Sequence, residues 1–285
     1  LRPDAFEWLD RCVDMAEAVG IYVILDMHGA PGRQGHDMPS GRVKYNKLFD
    51  SEEYQNRTIW LWERIAERYR DRAAVAAYDL LNEPWYDFRT DHRPRLAALM
   101  DRLIVAIRKV GPDTLIFVAA PLQGIAFYGK PADRGWKNVG FTDHFYPGLF
   151  GQGSPTLETH ARFINRFLPI QKKLVDSREA PYLIGEFNVV FDEAGRTDLM
   201  RQYFDAYASH GWHATMWSLR LIFPDGERPA RSWPIMYNAE PFRLPDFRTA
   251  SAAEIEAAFR ALGTQKIEVD EELRECLTAK SPRAM

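Results

Sequence analysis

The sequence predicts an α/β fold in which parallel strands alternate with helices. Short apolar runs recur along the chain, and longer stretches with apolar residues three or four positions apart lie between them. The runs are apolar on both faces, as expected for strands covered on both sides of a parallel sheet. Repeated strand–helix units of this kind place the helices outside the sheet.

The first half of the chain predicts three helices and three strands. The first helix stops at Gly20, a residue type that favours helix ends. Residues 31–50 are rich in glycine, proline and polar residues, which predicts a long loop. The predicted helices cover residues 4–19, 52–70 and 92–110, and the predicted strands cover 21–27, 75–81 and 114–119.

The second half continues the alternation and then changes character. Ser251 followed by Glu254 predicts a capping box at the start of a helix. Residues 222–250 contain five prolines and predict a loop. The predicted helices cover residues 157–175, 197–209, 251–262 and 270–279, and the predicted strands cover 138–145, 182–186, 212–219 and a short run at 266–269.

Length and composition limit the class of protein. A chain of 285 residues that is 46% hydrophobic can bury a large core. We predict one domain over residues 1–285, with a core to about 262 and a C-terminal extension over 263–285, because no repeat or low-complexity linker interrupts the chain. The net charge of −3 argues against nucleic-acid binding. The apolar runs are too short to span a membrane, and two cysteines make no disulfide framework.

Polar residues at the strand ends distinguish a barrel from a doubly wound sheet. No glycine-rich dinucleotide fingerprint follows any strand, which disfavours the doubly wound, nucleotide-binding class. Polar and aromatic residues instead follow several different strands, which is typical of a barrel with its site at one mouth. They are Asp26, His28, Asn82, Glu83, His144, Tyr146, Glu186 and Trp217.

Two of these strand ends carry a glutamate. Residues 78–84 (YDLLNEP) place Glu83 between an amide and a proline, and residues 181–187 (PYLIGEF) place Glu186 at the end of another apolar run. Glutamates so far apart in the sequence would meet only at a shared barrel mouth. Hydrolysis of a glycosidic bond needs such a carboxyl pair, one to protonate the leaving oxygen and one to attack carbon or activate water.

These motifs resemble glycoside hydrolase family 5, a family of barrel glycosidases that includes cellulases and exo-β-1,3-glucanases. The resemblance rests on residues 26–32 (DMHGAPG), 81–84 (LNEP), 144–146 (HFY) and 184–187 (IGEF), together with Trp217. They occur in the family's order, each after an apolar run, and span roughly residues 1–220. The resemblance implies that Glu83 is the acid/base and Glu186 the nucleophile, with retention of anomeric configuration.

The resemblance also implies the residues that bind the sugar. Asn82 would bind the 2-hydroxyl, Tyr146 would orient the nucleophile, and His28 and His144 would contact the sugar in the cleaving subsite. Trp217 would form a stacking floor. The two histidines, Trp217 and the two glutamates have structural alternatives: a satisfied core histidine, a packed core tryptophan, a helix-terminal charge for Glu83 and an ion-pair partner for Glu186.

The number of predicted strands differs from that of the family's eight-stranded barrel. Six strands are predicted, and only 20 residues precede Ile21. We therefore expect a (β/α) TIM-barrel type fold that is incomplete, with about six parallel strands in this chain and without the first two barrel strands. The family's arginine on the second strand has no assigned counterpart here. Upstream sequence, residues 266–269 or a second chain could cover the open edges, and we predict a homo-oligomer.

We predict a retaining β-glycosidase that cleaves a β-glucan, cellulose-like or mixed-linkage, through two glutamates. An exo-β-1,3-glucanase, a mannanase and a non-catalytic sugar-binding remnant stay open as alternatives. The partner would be an oligo- or polysaccharide. No cofactor is expected. A metal at His28, His36 and Asp37 is disfavoured because their spacing crosses a Gly/Pro-rich loop. The resemblance would imply secretion, but no signal-peptide pattern sets the compartment.

Overall fold

Six strands form the main sheet in the order of the chain, β1-β2-β3-β4-β5-β6. The computed structural model describes residues 1–35, 44–84, 93–111, 113–120, 124–150, 153–189, 195–223 and 234–279. A doubly wound sheet reverses its strand order at a switch point, whereas a (β/α) barrel adds each strand beside the previous one. The sheet has the second pattern and parallel strands, so the predicted barrel-type α/β class with six strands is confirmed.

Most predicted elements are present, with bounds within a few residues of the prediction. The helices are α1 (Glu7–Val19), α2 (Glu52–Tyr69), α3 (Arg93–Val110), α4 (Leu157–Arg162), α5 (Leu168–Asp176), α6 (Arg196–Ser209), α7 (Ala252–Gly263) and α8 (Glu271–Thr278). The strands of the main sheet are β1 (Val23–Asp26), β2 (Val75–Asp79), β3 (Leu115–Ala119), β4 (Val139–Phe145), β5 (Tyr182–Phe187) and β6 (His213–Met216).

Helix ends follow the chemistry that the sequence predicts. Gly20 ends α1 in the left-handed region at φ +74°, and its amide bonds back to the last turn. The Ser51 side chain accepts a hydrogen bond from the Tyr54 amide and caps α2. Ser251 and Glu254 exchange both bonds of the capping box before α7.

The carboxyl-terminal part differs from the prediction in two places. The loop predicted over 222–250 contains β8 (Met236–Asn238), which joins β7 (Arg220–Leu221) and β9 (Ile267–Val269) in a separate three-stranded sheet. Strands of two or three residues show no periodicity in the sequence. Because β9 pairs antiparallel with β8, residues 266–269 do not extend the main sheet.

The stretch 157–175 is interrupted rather than one regular helix. A π-helical turn over Phe163–Phe167 separates α4 from α5. The Phe163 and Phe167 rings pack edge-on against Phe145, with ring centroids 5.2 and 5.4 Å away. Periodicity does not distinguish such a turn from an α-helix.

The start of β1 is more exposed than the prediction of a strand buried on both sides. Ile21 and Tyr22, which directly precede β1, are 59% and 77% exposed. Among the described strands, β1 is the first in the sheet order and pairs with β2 alone. Trp8, Met15 and Val19 are also exposed on α1. That a second chain covers this surface stays a prediction.

Contacts divide the chain into two units. Unit 1 comprises Leu1–Asp143 and Lys172–Leu183, and unit 2 comprises His144–Gln171 and Ile184–Met285. The prediction of a single domain over 1–285 stays a prediction. None of the helices in the described ranges is both long enough and apolar enough to cross a membrane.

The core of unit 1 fixes the strands that lead to the polar strand ends. The Trp62 indole of α2 donates a hydrogen bond to the Leu80 carbonyl (3.0 Å) and packs on the Tyr78 ring at 5.4 Å. Gly140 of β4 lies so close to its neighbours that a Cβ atom would meet the Pro181 carbonyl oxygen at 2.6 Å. A side chain at this position would separate the backbones.

In unit 2, polar side chains attach the terminal helix. Arg196, at the start of α6, pairs with Asp270 at 2.5 Å. Asp270 also caps α8 by accepting from the Leu273 amide. Buried Asn238 joins β8 to the segment after β7 by bonding both the amide and the carbonyl of Phe223. Residues 263–279 are thus held by specific polar contacts within unit 2.

Gly32 provides a test of the packing of the loop after β1. Its φ is +76°, and a Cβ atom there would lie 2.3 Å from the Tyr54 ring and 2.8 Å from the Tyr54 Cβ. Gly20 has a nearly equal φ of +74° with nothing within 4 Å. We expect Gly20→Ala to lower the free energy of unfolding by roughly 1–2 kcal/mol through backbone strain alone. Gly32→Ala should cost about 1–3 kcal/mol more through the clash.

Urea unfolding of the two variants, followed by circular dichroism, measures this difference. Equal destabilisation of Gly32→Ala and Gly20→Ala would show that Tyr54 does not confine the loop.

Candidate functional site

In unit 1, backbone hydrogen bonds continue past the ends of β1 and β2. The Met27 amide donates to the Asp79 carbonyl (3.1 Å), and the Asn82 amide donates to the Met27 carbonyl (3.1 Å). The two chain segments therefore stay side by side after the regular strands end. This is why the residues that follow β1 and the residues that follow β2 meet at one edge of the sheet.

At that edge, three predicted polar residues form a chain of contacts. The Nδ1 of His28 lies 2.9 Å from Asp26 Oδ2, and its Nε2 lies 3.4 Å from the Asn82 amide nitrogen. Because a carboxylate only accepts, Nδ1 carries a proton and Nε2 can accept from Asn82. The His28 side chain is 37% exposed, so it is not a buried core histidine. Asp26 thus orients the His28 ring, and His28 orients the side-chain amide of Asn82.

Gln34 holds the backbone of His28 and Asn82. No motif or periodicity in the sequence indicates this role. Gln34 is fully buried. Its side-chain oxygen accepts from the Ala30 amide (3.0 Å), and its side-chain nitrogen donates to the carbonyls of His28 (2.9 Å) and Asn82 (2.8 Å). Both polar atoms of the Gln34 side chain are therefore hydrogen-bonded, and its nitrogen links the two strand-end segments.

Glu83 directly follows Asn82 and has an uncommon backbone conformation. Its φ is +39°, and its side chain is half-buried. A non-glycine residue held at positive φ costs about 1–3 kcal/mol and persists where the surroundings determine it strongly. Such strain is found disproportionately at functional sites, and here it occurs at the residue that the resemblance implies as acid/base.

In unit 2, the other glutamate is held by two predicted residues. The Tyr146 hydroxyl donates to Glu186 Oε2 at 2.7 Å, and His144 Nδ1 lies 3.5 Å from the same oxygen. The side chains of His144 and Glu186 are each 13% exposed. The carboxylate is therefore fixed in orientation and still reached by solvent. Glu186 lies one residue before the end of β5, and its partners His144 and Tyr146 lie on either side of the last residue of β4.

Trp217 follows β6 and is positioned through its backbone. Its amide donates to the Phe187 carbonyl (3.0 Å), and the buried Asn188 side chain donates to the Trp217 carbonyl. The peptide bond between Trp217 and Ser218 is cis. Trp217 is 38% exposed. It is thus not a packed core residue, and part of its surface is open to a ligand. Like Gln34, Asn188 has no signal in the sequence.

An aromatic layer lies behind Glu186 in the same unit. Phe187 stacks on Tyr203 of α6, with centroids 5.8 Å apart and planes at 15°. Tyr207 meets Phe187 edge-on at 5.1 Å. Both tyrosines are buried, and burial raises their pKa values well above the ordinary range. The layer is uncharged and gives the strand that carries Glu186 a rigid support.

The predicted site residues therefore form two groups. His28, Asn82 and Glu83 lie together in unit 1, and His144, Tyr146, Glu186 and Trp217 lie at neighbouring strand ends in unit 2. That Glu83 and Glu186 work as one pair stays a prediction. Of the disfavoured metal donors, His36 and Asp37 lie outside the described residues. The absence of a metal and of a cofactor stays a prediction as well.

Comparison with known proteins identifies relatives. Residues 1–220 match the family model described as cellulase (glycosyl hydrolase family 5). A β-xylosidase of Phanerodontia chrysosporium is 33% identical over 197 residues, which are 67% of this chain and 40% of that protein. A protein of Neosartorya fischeri named "Probable glucan 1,3-beta-glucosidase A" is 32% identical over 186 residues, 64% of this chain and 42% of that protein.

Solved structures share the fold. An endo-glycoceramidase II from Rhodococcus sp., solved as a lactosyl-enzyme intermediate, superposes with a TM-score of 0.60 at 21% identity. The similarity covers 81% of this chain and 61% of that chain. The chain spans about two fifths of the length of the two curated relatives it matches here.

We expect the stability of unit 2 to depend on pH through His160 of α4, whose ring packs edge-on against Tyr203 of the aromatic layer. His160 is buried, its Nδ1 lies 2.7 Å from the Tyr203 hydroxyl, and burial lowers its pKa to about 4. Unfolded histidine binds a proton below about pH 6.5. The unfolded state thus binds more protons between these values, so stability falls as pH drops through this window, by at most about 3 kcal/mol.

Urea unfolding at intervals between about pH 7 and pH 4 tests this linkage. A His160→Gln variant lacks the titrating group and should show a shallower decline than the unaltered chain. Parallel declines in both proteins would contradict the assignment to His160.

Proposed function

The chain belongs to glycosyl hydrolase family 5, and from that premise we propose that it is a retaining β-glycosidase that cleaves a β-glucan by double displacement. The observation that carries the proposal is the held carboxylate of Glu186, which accepts from the Tyr146 hydroxyl at 2.7 Å and remains open to solvent. A nucleophilic carboxylate needs a fixed direction of attack and access to the substrate, and this arrangement supplies both.

In the first step, Glu186 attacks the anomeric carbon and the glycosidic bond breaks. Glu83 gives its proton to the leaving oxygen, so the first product departs as an alcohol and a glycosyl ester of Glu186 remains. In the second step, Glu83 takes a proton from water, which displaces Glu186 and restores both groups. The Rhodococcus endo-glycoceramidase II was solved as a lactosyl-enzyme intermediate, a species of this kind.

The two steps require the carboxyl groups to lie about 5–5.5 Å apart, the spacing of retaining enzymes. Asn82 supports the assignment of Glu83 because it precedes it and is oriented by His28. In the proposed complex, the Asn82 amide binds the sugar 2-hydroxyl, a contact that strengthens toward the transition state. His28 and His144 contact the same sugar ring.

The substrate class rests on the relatives and on Trp217. A partly open indole suits the C–H face of a glucose unit, which is flat and apolar. The family description as cellulase favours a cellulose-like or mixed-linkage β-glucan. The glucan 1,3-β-glucosidase relative favours β-1,3-glucan as a second candidate. The name of the β-xylosidase relative adds β-xylosides to the substrates to be tested.

A panel of cellulosic, mixed-linkage, laminarin-type and xylan polymers, assayed for new reducing ends, distinguishes these substrates. Release of reducing ends from the β-glucans is the expected result. Binding of oligosaccharide without release from any polymer or activated aryl glycoside would instead support a non-catalytic sugar-binding protein.

Substitution of the two glutamates separates their roles. We expect Glu83→Gln to lower kcat on a phenyl β-cellobioside by about 10²–10⁴-fold, because this leaving group needs a proton. Oligosaccharide binding, measured by calorimetry, should persist. Glu186→Gln should abolish turnover of activated and unactivated glycosides alike, because no glycosyl-enzyme can form. Glu158, an exposed glutamate paired with Arg162 on α4, provides the control variant Glu158→Gln, which should retain full activity.

Azide identifies the acid/base independently of the leaving group. With dinitrophenyl β-cellobioside, Glu83→Ala should form the glycosyl-enzyme but hydrolyse it slowly, since water lacks a base. Azide needs no base and should restore turnover with a β-glycosyl azide as product, the stereochemistry of double displacement. An unchanged rate for Glu83→Gln on the phenyl glycoside, or an α-glycosyl azide from Glu83→Ala, would reject the assignment.

Tyr146→Phe tests the support of the nucleophile. A hydrogen bond to a charged group contributes about 1.5–3 kcal/mol, so its loss should lower kcat/KM by roughly ten- to a hundredfold. Tyr22→Phe, at an exposed tyrosine of unit 1, is the control and should match the unaltered chain. Initial rates on dinitrophenyl β-cellobioside give both values, and equal rates for the two variants would exclude a role of the Tyr146 hydroxyl.

A further inference from the structure

We propose that Gln34 is a positioning residue for the acid/base glutamate: its buried amide holds the peptide group that joins Asn82 to Glu83. This inference rests on the proposed function, in which Glu83 transfers the proton. Gln34 does not touch the reacting atoms and acts through the backbone of the two residues that do.

The geometry of the hydrogen bonds supports this role. The Gln34 side-chain nitrogen donates to the carbonyl oxygens of His28 (2.9 Å) and Asn82 (2.8 Å), two residues from different strand ends. The Asn82 carbonyl belongs to the same peptide plane as the Glu83 amide. Rotation of that plane changes the φ of Glu83, which is held at +39°. The bond from Gln34 therefore restricts the motion that would let Glu83 relax to an ordinary conformation.

The loop that carries Gln34 is anchored by other contacts. The Lys47 amide donates to the Gly32 carbonyl (2.8 Å), and the Leu48 amide donates to the Arg33 carbonyl (3.2 Å). Tyr54 packs on Gly32. The loop thus has its own supports, and the bond from Gln34 to Asn82 links it to the acid-bearing segment. A residue needed for the structure of this loop alone would not require a bond to the Asn82 carbonyl.

Gln34→Glu changes this link with almost no change in shape. One carboxylate oxygen can still accept from the Ala30 amide. The other takes the place of the amide nitrogen and faces the carbonyls of His28 and Asn82, so an ionised carboxylate puts three oxygens together without a hydrogen. A protonated carboxyl has one hydrogen to donate and restores one of the two bonds. The defect should therefore be large at neutral pH and smaller in acid.

Gln55 of α2 offers a matched control in the same unit. Its side-chain nitrogen also donates to two backbone carbonyls, those of Leu48 (3.1 Å) and Phe49 (3.4 Å). Gln55→Glu also places a carboxylate oxygen against two backbone carbonyls where no site residue is linked, and its other oxygen keeps the Arg102 guanidinium, which donates to the Gln55 side-chain oxygen at 2.7 Å, as a partner. Comparison of the two variants separates an effect on the site from a general effect of a carboxylate beside two carbonyls.

The experiment measures kcat and KM for phenyl and dinitrophenyl β-cellobioside from about pH 5 to about pH 8. We expect Gln34→Glu to lower kcat on the phenyl glycoside by about 10- to 100-fold at neutral pH. The loss of kcat/KM on the dinitrophenyl glycoside should be smaller, because kcat/KM reports formation of the glycosyl-enzyme and the departure of dinitrophenolate needs no acid. The ratio to the unaltered chain should rise toward acid pH, and Gln55→Glu should show neither effect.

Several outcomes would overturn the inference while leaving the proposed function intact. These are an active unaltered chain with an unaffected Gln34→Glu variant, equal losses of kcat/KM on both glycosides, or equal losses in Gln34→Glu and Gln55→Glu. An unaltered chain that releases no phenol would overturn both proposals. Should Gln34→Glu fail to fold at neutral pH, Gln34→Met removes the donor without adding charge. Its kcat on the phenyl glycoside should fall without recovery in acid, and full activity would reject the inference.

Discussion

The backbone hydrogen bonds that continue past the ends of β1 and β2 are the constraint on which the predicted site residues of unit 1 depend. A strand normally releases its chain into a loop, and the residues that follow are free to diverge. Here the amides of Met27 and Asn82 extend the ladder, so the segments with His28 and Glu83 leave the sheet together. Trp62 of α2 adds a bond to the Leu80 carbonyl just before this point. Backbone hydrogen bonds thus set the positions of these polar residues, and side-chain hydrogen bonds add to that restraint.

Buried side-chain amides add further restraints to the strand-end segments. Gln34 in unit 1 and Asn188 in unit 2 are both buried, and each donates to a carbonyl of a residue on another strand end. A buried side-chain amide with one donor or acceptor left unsatisfied would lower the free energy of unfolding by about 1–3 kcal/mol. These side chains therefore tolerate few alternative backbone paths. Strand-end loops that would otherwise move independently are held to the geometry in which Asn82 and Trp217 present their side chains.

The sequence predicts the order and type of nearly every element of the main sheet because burial is periodic along the chain. The 3.6-residue period of α2 and the apolar run of β2 result from local geometry and need no knowledge of the rest of the molecule. Prediction fails where the signal is short or nonlocal. The strands β7 and β8 are too short to alternate, and the π-helical turn at Phe163–Phe167 keeps helical periodicity. The exposure of Tyr22, just before β1, depends on what the folded chain packs against it.

The sequence by itself determined which residues are predicted to carry the chemistry. Glutamates at two strand ends, with histidines, an asparagine, a tyrosine and a tryptophan beside them, are visible as residue types after apolar runs. Only the tertiary structure decided how these residues are held: that Asp26 orients His28, that Tyr146 and His144 meet one oxygen of Glu186, and that Gln34 reaches Asn82. The physical reason is range. Periodicity reports the burial of a residue among its sequence neighbours, whereas a hydrogen bond between residues 48 positions apart depends on the path of the whole chain between them.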